Sequence, residues 1–206
     1  MEATLPIILA LSKINRNDVA YRLLHNDSFP SWNYSIKNGA TTIWEGWDSW
    51  TPENGFGDAN MNSSNHFSLG AVYQWMVENI GGIRKEGVAY KHLVIAPVPG
   101  GRLTSARVSY DSINGMGETE WKQNGDRIEM TIQIPANTTG TVILPSVSVD
   151  TLTESGKPLR EADGLTFERQ EPGQVFINAG SGIYHFQIQN PVIASDPQEI
   201  TRSSAG

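Results

Sequence analysis

Residues 63–83 read SSNHFSLGAVYQWMVENIGGI, and the reading of the whole chain turns on this stretch. From His66 to Ile80 the apolar residues Leu69, Val72, Tyr73, Met76 and Ile80 recur at the spacing of one helical face. Ser63, Ser64 and Asn65 precede them as capping candidates, Asn65 foremost, and Gly81-Gly82 ends the run. Before this helix the chain reads as helices separated by short polar breaks. After Gly87 it reads as short alternating strands with Gly, Pro and Asn turns. Five of the six tryptophans also fall before residue 80, leaving only Trp121 beyond it. The texture therefore predicts an α+β multidomain chain, with a helical part over residues 1–86, an antiparallel β-sandwich over 87–192 and a loose tail over 193–206.

Three shorter helices are expected upstream. Thr4 to Ile14 is apolar on nearly every side, which suits a helix buried by neighbours. Asn17 or Asp18 caps a second through Leu24, with Ala20, Leu23 and Leu24 on one face. Ser28 caps a third, with Pro30 in its first turn, Trp32 and Ile36 one turn apart and Gly39 closing it. Four such helices, with a long loop before the last, cannot bury their faces on one another. They are read as the end of a larger helical domain, and the chain as the C-terminal piece of a longer protein. Downstream, strands are expected at Leu93–Ile95, Ala106–Tyr110, Ile128–Ile134, Val142–Leu144, Leu165–Phe167, Val175–Ile177 and Tyr184–Ile188, with a hairpin at Asn124-Gly125.

Composition narrows the partners. A net charge of -7, from 15 basic and 22 acidic residues without long runs, disfavours nucleic acid and anionic membrane surfaces. The longest apolar run, Leu5 to Leu11, is interrupted by Pro6 and is far short of the roughly 20 residues a bilayer span needs. No signal peptide is read at the N-terminus, and the compartment stays open. Without cysteine there are no disulfides, thiolate nucleophiles or cysteine-based zinc sites. His25, His92 and His185 have no metal-ligand spacing, and the glycines at Gly100-Gly101 lack the context of a phosphate loop, so neither metal nor cofactor is expected.

The candidate chemistry sits in a second stretch, GATTIWEGWDSW at residues 39–50, where Trp44, Trp47 and Trp50 crowd around Glu45 and Asp48 with no sustained period. It reads as a shaped loop, and indoles beside carboxylates suit a sugar-handling site. The indoles exclude water on one side, which suits a base working near neutral pH. A strand-like course sends Trp44 and Trp47 away from Glu45, whereas a turn converges them, and the residues alone leave both open. Taken alone, Glu45 is an ordinary loop carboxylate and His66 an ordinary capping or packing residue.

Together with SSNHFSLGAVYQWMVENIGGI, YDSINGMGETEW (110–121) and IPANTTGTVILP (134–145), that loop resembles the α-L-rhamnosidases of glycoside hydrolase family 78, over roughly Leu5 to Ile188. The resemblance implies the C-terminal helices of an (α/α)6 barrel followed by an antiparallel β-sandwich, and an inverting glycosidase acting on terminal α-L-rhamnose. It implies Glu45 as general base and His66 as a hydrogen-bonding contact to a sugar hydroxyl. Trp47 and Trp44 are read as substrate-binding aromatics because apolar sugar faces stack on indoles, with packing in the barrel as the alternative for Trp47. The resemblance places the general acid in sequence this chain lacks, so the expected partners are a rhamnose-containing glycoside or oligosaccharide and the missing N-terminal part of the parent. The isolated chain is expected to be inactive, because one carboxylate cannot serve as both acid and base. Two other readings are a non-catalytic carbohydrate-binding or interaction module, and a glycosidase of different sugar preference on the same barrel.

Overall fold

In the computed structural model, which describes residues 4–57 and 63–194, the chain forms two compact units, one up to Trp75 and one from Met76 to Ala194. In the first unit, helix α1 spans Thr4–Lys13, α2 Asn17–His25 and α3 Trp32–Lys37, followed by a small hairpin of strands β1 (Trp50–Thr51) and β2 (Gly55–Phe56), then α4 (Phe67–Gly70) and α5 (Val72–Trp75). Helix α1 ends through Asn15 at φ +58, with the Arg16 amide returning to the Leu11 carbonyl at 2.8 Å. This is the left-handed termination that asparagine tolerates. Trp75 is the hub of the unit. It is fully buried, donates its Nε1–H to the Ser12 hydroxyl at 2.6 Å and meets Tyr21 edge-to-face at 5.3 Å. Burial pushes the Tyr21 phenol well above its ordinary range.

Several local expectations change. Helix α2 is preceded by Arg16 rather than capped by Asn17 or Asp18, because Arg16 instead ion-pairs with Asp18 at 2.9 Å. Ser31, not Ser28, caps α3, accepting from the Tyr34 amide at 3.0 Å. Ser28 is tied into the preceding turn, where Asn26 bonds its hydroxyl and its carbonyl. Within the unit α1 is covered on one side only: Ile8 is fully buried while Ile7 is 47% exposed. The helix expected over His66–Ile80 is three pieces, with a break at Ala71 and a π-helical turn over Met76–Ile80. The break at Ala71 rotates the buried face, so that Leu69, Val72 and Trp75 point inward and Tyr73 is 67% exposed.

The second unit begins with that π-helical turn. It continues through strands β3 (Ile83–Glu86), β4 (His92–Ile95), β5 (Ser105–Ser112), β6 (Gly115–Asn124), β7 (Arg127–Ile134), β8 (Thr139–Leu144), β9 (Leu152–Glu154), β10 (Lys157–Pro158), β11 (Leu165–Glu171), β12 (Gln174–Ala179) and β13 (Gly182–Gln189). They form a six-stranded sheet ordered β10-β9-β13-β7-β6-β5 and a five-stranded sheet ordered β11-β12-β8-β4-β3. Every pair is antiparallel except β4 with β8, which runs parallel with His92 opposite Thr139. The core alternates as a half-buried strand must. Ile128, Met130, Ile132 and Ile134 of β7 and Tyr184, Phe186 and Ile188 of β13 are buried on one sheet, Leu93, Ile95, Val142, Leu144, Val175 and Ile177 on the other. The hairpin expected at Asn124-Gly125 joins β6 to β7, with Gly125 at φ +62.

Strand β6 has no counterpart in the sequence reading, because its inward residues are Gly117, Thr119 and Trp121, and only the last is apolar and large. Strand β3 and the turn Met76–Ile80 belong to the sandwich unit, whereas the sequence texture placed the boundary at residue 86. Within the tail expected over 193–206, Ala194 pairs with Gly100, and residues 195–206 lie outside the described residues. Among the described residues no helix is long and apolar enough to cross a membrane.

The turn Met76–Ile80 is held by its carbonyls. A helix end leaves its last carbonyls without internal donors, and here the sandwich supplies them. Arg84 Nε donates to Glu78 O at 2.8 Å and Trp121 Nε1 to Ile80 O at 2.9 Å. The amides of Val98 and Ala96 reach Asn79 O and Gly82 O at 2.8 and 2.9 Å, and the Thr119 hydroxyl reaches Gly81 O at 2.6 Å. Burial lowers the Arg84 guanidinium's pKa, and the Glu78 charge opposes that shift. The close approach needs glycine: at Gly82, φ +72, a Cβ would stand 2.1 Å from the Pro97 nitrogen. Gly82→Ala is therefore expected to destabilise the sandwich several-fold more than Gly125→Ala. The latter meets no atom within 4 Å and should cost only about 1 kcal/mol of left-handed strain. Urea melts of the two variants side by side test this.

Candidate active site

The loop after α3 is stitched to the segment leading into α4 as a short antiparallel pair. The Glu45 amide donates to Ser63 O at 2.9 Å and the His66 amide to Ile43 O at 2.7 Å, while the Thr42 hydroxyl donates to Ser64 O. The Glu45 carboxylate takes part too, its Oε2 accepting the Ser63 amide at 2.8 Å. These contacts bring the segments carrying Glu45 and His66 alongside each other, although the residues are twenty-one apart in sequence. Glu45 is half-buried.

His66 itself caps α4. Its Nδ1 accepts the Ser68 amide at 3.3 Å and lies 3.0 Å from the Ser68 hydroxyl, so one ring nitrogen is fixed in place. No other polar partner of the ring is found among the described residues, which leaves Nε2 able to meet a ligand. The cap expected at Asn65 is thus a correction: the imidazole reaches the first-turn amide, while the Asn65 amide turns back to the Ser63 hydroxyl at 3.2 Å. The adjacent Phe67 ring stacks on His66 with centroids 5.3 Å apart, and is 81% exposed.

The tryptophans separate by role. Trp44 is buried with the core of its unit. Gly46 to Ser49 then forms a tight turn, the Gly46 amide donating to the Ser49 hydroxyl at 3.0 Å and the Ser49 amide to Gly46 O at 3.2 Å. The turn carries Trp47 to a half-buried position, edge-to-face against Trp32 at 5.2 Å. Trp32 is anchored by its Nε1–H on Leu69 O at 2.9 Å. Trp50 lies in β1 opposite Phe56, and Asp48 is exposed. The sequence reading did not identify the supporting roles of Thr42, Ser68 and Trp32, nor Ser63 as the clamp on Glu45; of these only Ser63 carried a signal, as a supposed cap. No group of three or more His, Asp or Glu side chains among the described residues is placed to hold a metal ion.

Residues 3–80 match the bacterial α-L-rhamnosidase six-hairpin glycosidase domain and residues 82–158 the bacterial α-L-rhamnosidase C-terminal domain; the chain belongs to that family. An α-L-rhamnosidase of Streptomyces avermitilis is 40% identical over 182 residues, which is 88% of this chain and 17% of that protein. One from Formosa agariphila is 35% identical over 179 residues, 87% of this chain and 19% of its own length. The crystal structure of the Streptomyces avermitilis α-L-rhamnosidase complexed with L-rhamnose superimposes with a TM-score of 0.82 at 39% identity, covering 90% of this chain and 17% of that one. The Dictyoglumus thermophilum α-L-rhamnosidase gives 0.78 at 31% identity, covering 91% and 20%. The chain thus spans less than a quarter of each of these relatives.

The clamp on Glu45 separates its structural from its chemical duty. Glu45→Gln keeps an oxygen for the Ser63 amide, whereas Glu45→Ala leaves that donor unmatched. The first variant is expected to unfold within about 0.5 kcal/mol of the parent and the second about 1–2 kcal/mol lower, as read by urea denaturation of the helical signal.

Proposed function

We propose that this chain is the C-terminal part of an inverting α-L-rhamnosidase that releases terminal α-L-rhamnose from rhamnosides, and that Glu45 is its general base. What supports this most is the half-buried Glu45 carboxylate fixed by the Ser63 amide on the strand-like segment that leads to His66. One carboxylate oxygen is held by the chain, and the other is proposed to take the proton of the attacking water. His66, its Nδ1 engaged by Ser68, is proposed to present Nε2 to a sugar hydroxyl. Trp47 is proposed as the platform for an apolar sugar face, with Trp32 bracing it from the side. Trp44, buried as it is, fits a supporting wall behind the carboxylate better than direct contact.

Inversion requires a second carboxyl group about 6.5–9.5 Å from the base, so that water fits between base and anomeric carbon while the acid protonates the departing oxygen. In this reading the acid is carried by preceding sequence of the parent, which is the chain's obligatory partner. The side of α1 left open within the helical unit is consistent with further helices there. The isolated chain is proposed to be inactive, since it lacks acid assistance, worth about 10²–10⁴ in rate.

Two assays test the reading. The purified chain should hydrolyse an aryl α-L-rhamnoside no faster than buffer, and turnover that disappears on Glu45→Gln overturns the assigned inactivity. In the longer protein carrying this chain, Glu45→Gln should lower kcat by about 10²–10⁴ with its melting temperature preserved, and an unchanged kcat removes Glu45 from the mechanism.

A further inference from the structure

The β3–β4 turn is built against backbone preference. Gly87, Ala89 and Tyr90 have φ values of +67, +57 and +55, so two consecutive non-glycine residues occupy the left-handed region between Val88 and Lys91. The Lys91 amide closes the turn on Val88 O at 3.3 Å. A two-residue turn of this shape ordinarily carries Asn-Gly or Gly-Gly, and here it carries Ala-Tyr. Such strain persists only where the surroundings hold it. The holding group is Asn114 of the neighbouring β5–β6 turn, whose Nδ2 donates to Ala89 O at 2.6 Å and to Tyr90 O at 3.2 Å.

What the strain achieves is the placement of a phenol. Tyr90 stacks on Tyr110 of β5, centroids 4.8 Å apart and planes 24° from parallel. Tyr110 is exposed and Tyr90 half-exposed. The same two hairpins carry Val88 and Ile113, 85% and 81% exposed, together with Met116. The carbamoyl oxygen of Asn114 has no partner among the described residues.

We propose that these two hairpin tips form a second saccharide site, remote in sequence from Glu45, in which the Tyr90–Tyr110 platform stacks a 6-deoxypyranose ring. The apolar face of a sugar matches a phenol ring, and its hydroxyl edge matches the Asn114 amide oxygen. The aliphatic Val88, Ile113 and Met116 select a sugar bearing a methyl group in place of a hydroxymethyl group. A protein partner fits less well, because five side chains on two turn tips fall far short of the roughly 1,000 Å² a specific interface buries.

Titration of the isotope-labelled chain with methyl α-L-rhamnopyranoside, followed by amide chemical shifts, tests the site directly. Saturable shifts at Tyr90, Tyr110 and Asn114 in the millimolar range are expected. Methyl α-L-mannopyranoside, which differs only by a hydroxyl on C6, should bind more weakly. Tyr110→Ala should weaken binding at least about tenfold, Tyr110→Phe should retain it, and Glu45→Gln and His66→Ala should leave it unchanged. If Tyr110→Ala fails to fold, the shift map of the parent chain alone decides. Shifts confined to residues 42–67, or none, overturn the proposal and leave the reading of Glu45 standing. Shifts at the tyrosines that follow protein concentration rather than sugar make the tips a self-association surface and also overturn it.

Discussion

The turn Met76–Ile80 is grafted into the sandwich by five hydrogen bonds to the consecutive carbonyls of Glu78, Asn79, Ile80, Gly81 and Gly82. Each is an acceptor that burial would leave costly without a donor, and each donor comes from a different place: a guanidinium, an indole, a hydroxyl and two backbone amides. Three of these groups, Arg84, Thr119 and Trp121, are side chains of β3 and β6. The edge strand of one sheet and the strand next to the edge of the other are therefore both committed to the same short stretch. Moving any one of them exposes another carbonyl, so the stretch and the sandwich form as one object. This is why the unit begins at Met76 rather than at the first strand.

The same economy of backbone pairing appears at the candidate site. Glu45 and His66 come from a loop and a helix start, yet Ile43 to Glu45 and Ser63 to His66 pair as strands do, with Thr42 adding a side-chain tie. The arrangement fixes two polar side chains without a regular sheet beneath them, since each backbone bond narrows the dihedral freedom of the residue that carries the function. Trp32 performs the complementary service for Trp47, transferring the rigidity of Leu69 in α4 to an indole on a turn.

Much of this was legible in the residues. The alternation of Ile128, Met130, Ile132 and Ile134 fixed β7 unaided, and the glycine pair at 81–82 marked where helices give way to strands. Strand β6 was not legible because glycine and threonine hold two of its buried positions, so its period of two carries almost no hydrophobic signal. Trp75 was passed over for Tyr73, because a helical template assumes an unbroken pitch, and the break at Ala71 shifts the phase. At the candidate site the residue types were visible and their partners were not. Ser63 read as a helix cap because serine before an apolar run usually is one, and only long-range pairing makes its amide a clamp for a carboxylate.

The single parallel pair, β4 with β8, has a consequence for the order of assembly. Strand β4 emerges long before β8, and the whole β5–β7 meander must be laid down between them. Until then the β3–β4 hairpin has an open inner edge, lined by Leu93 and Ile95, with nothing local to close it. Non-local closure of this kind is slow compared with hairpin formation. Closure of the inner edge of β4 therefore waits on β8, and until then the β3–β4 hairpin is an edge open to pairing with a second chain.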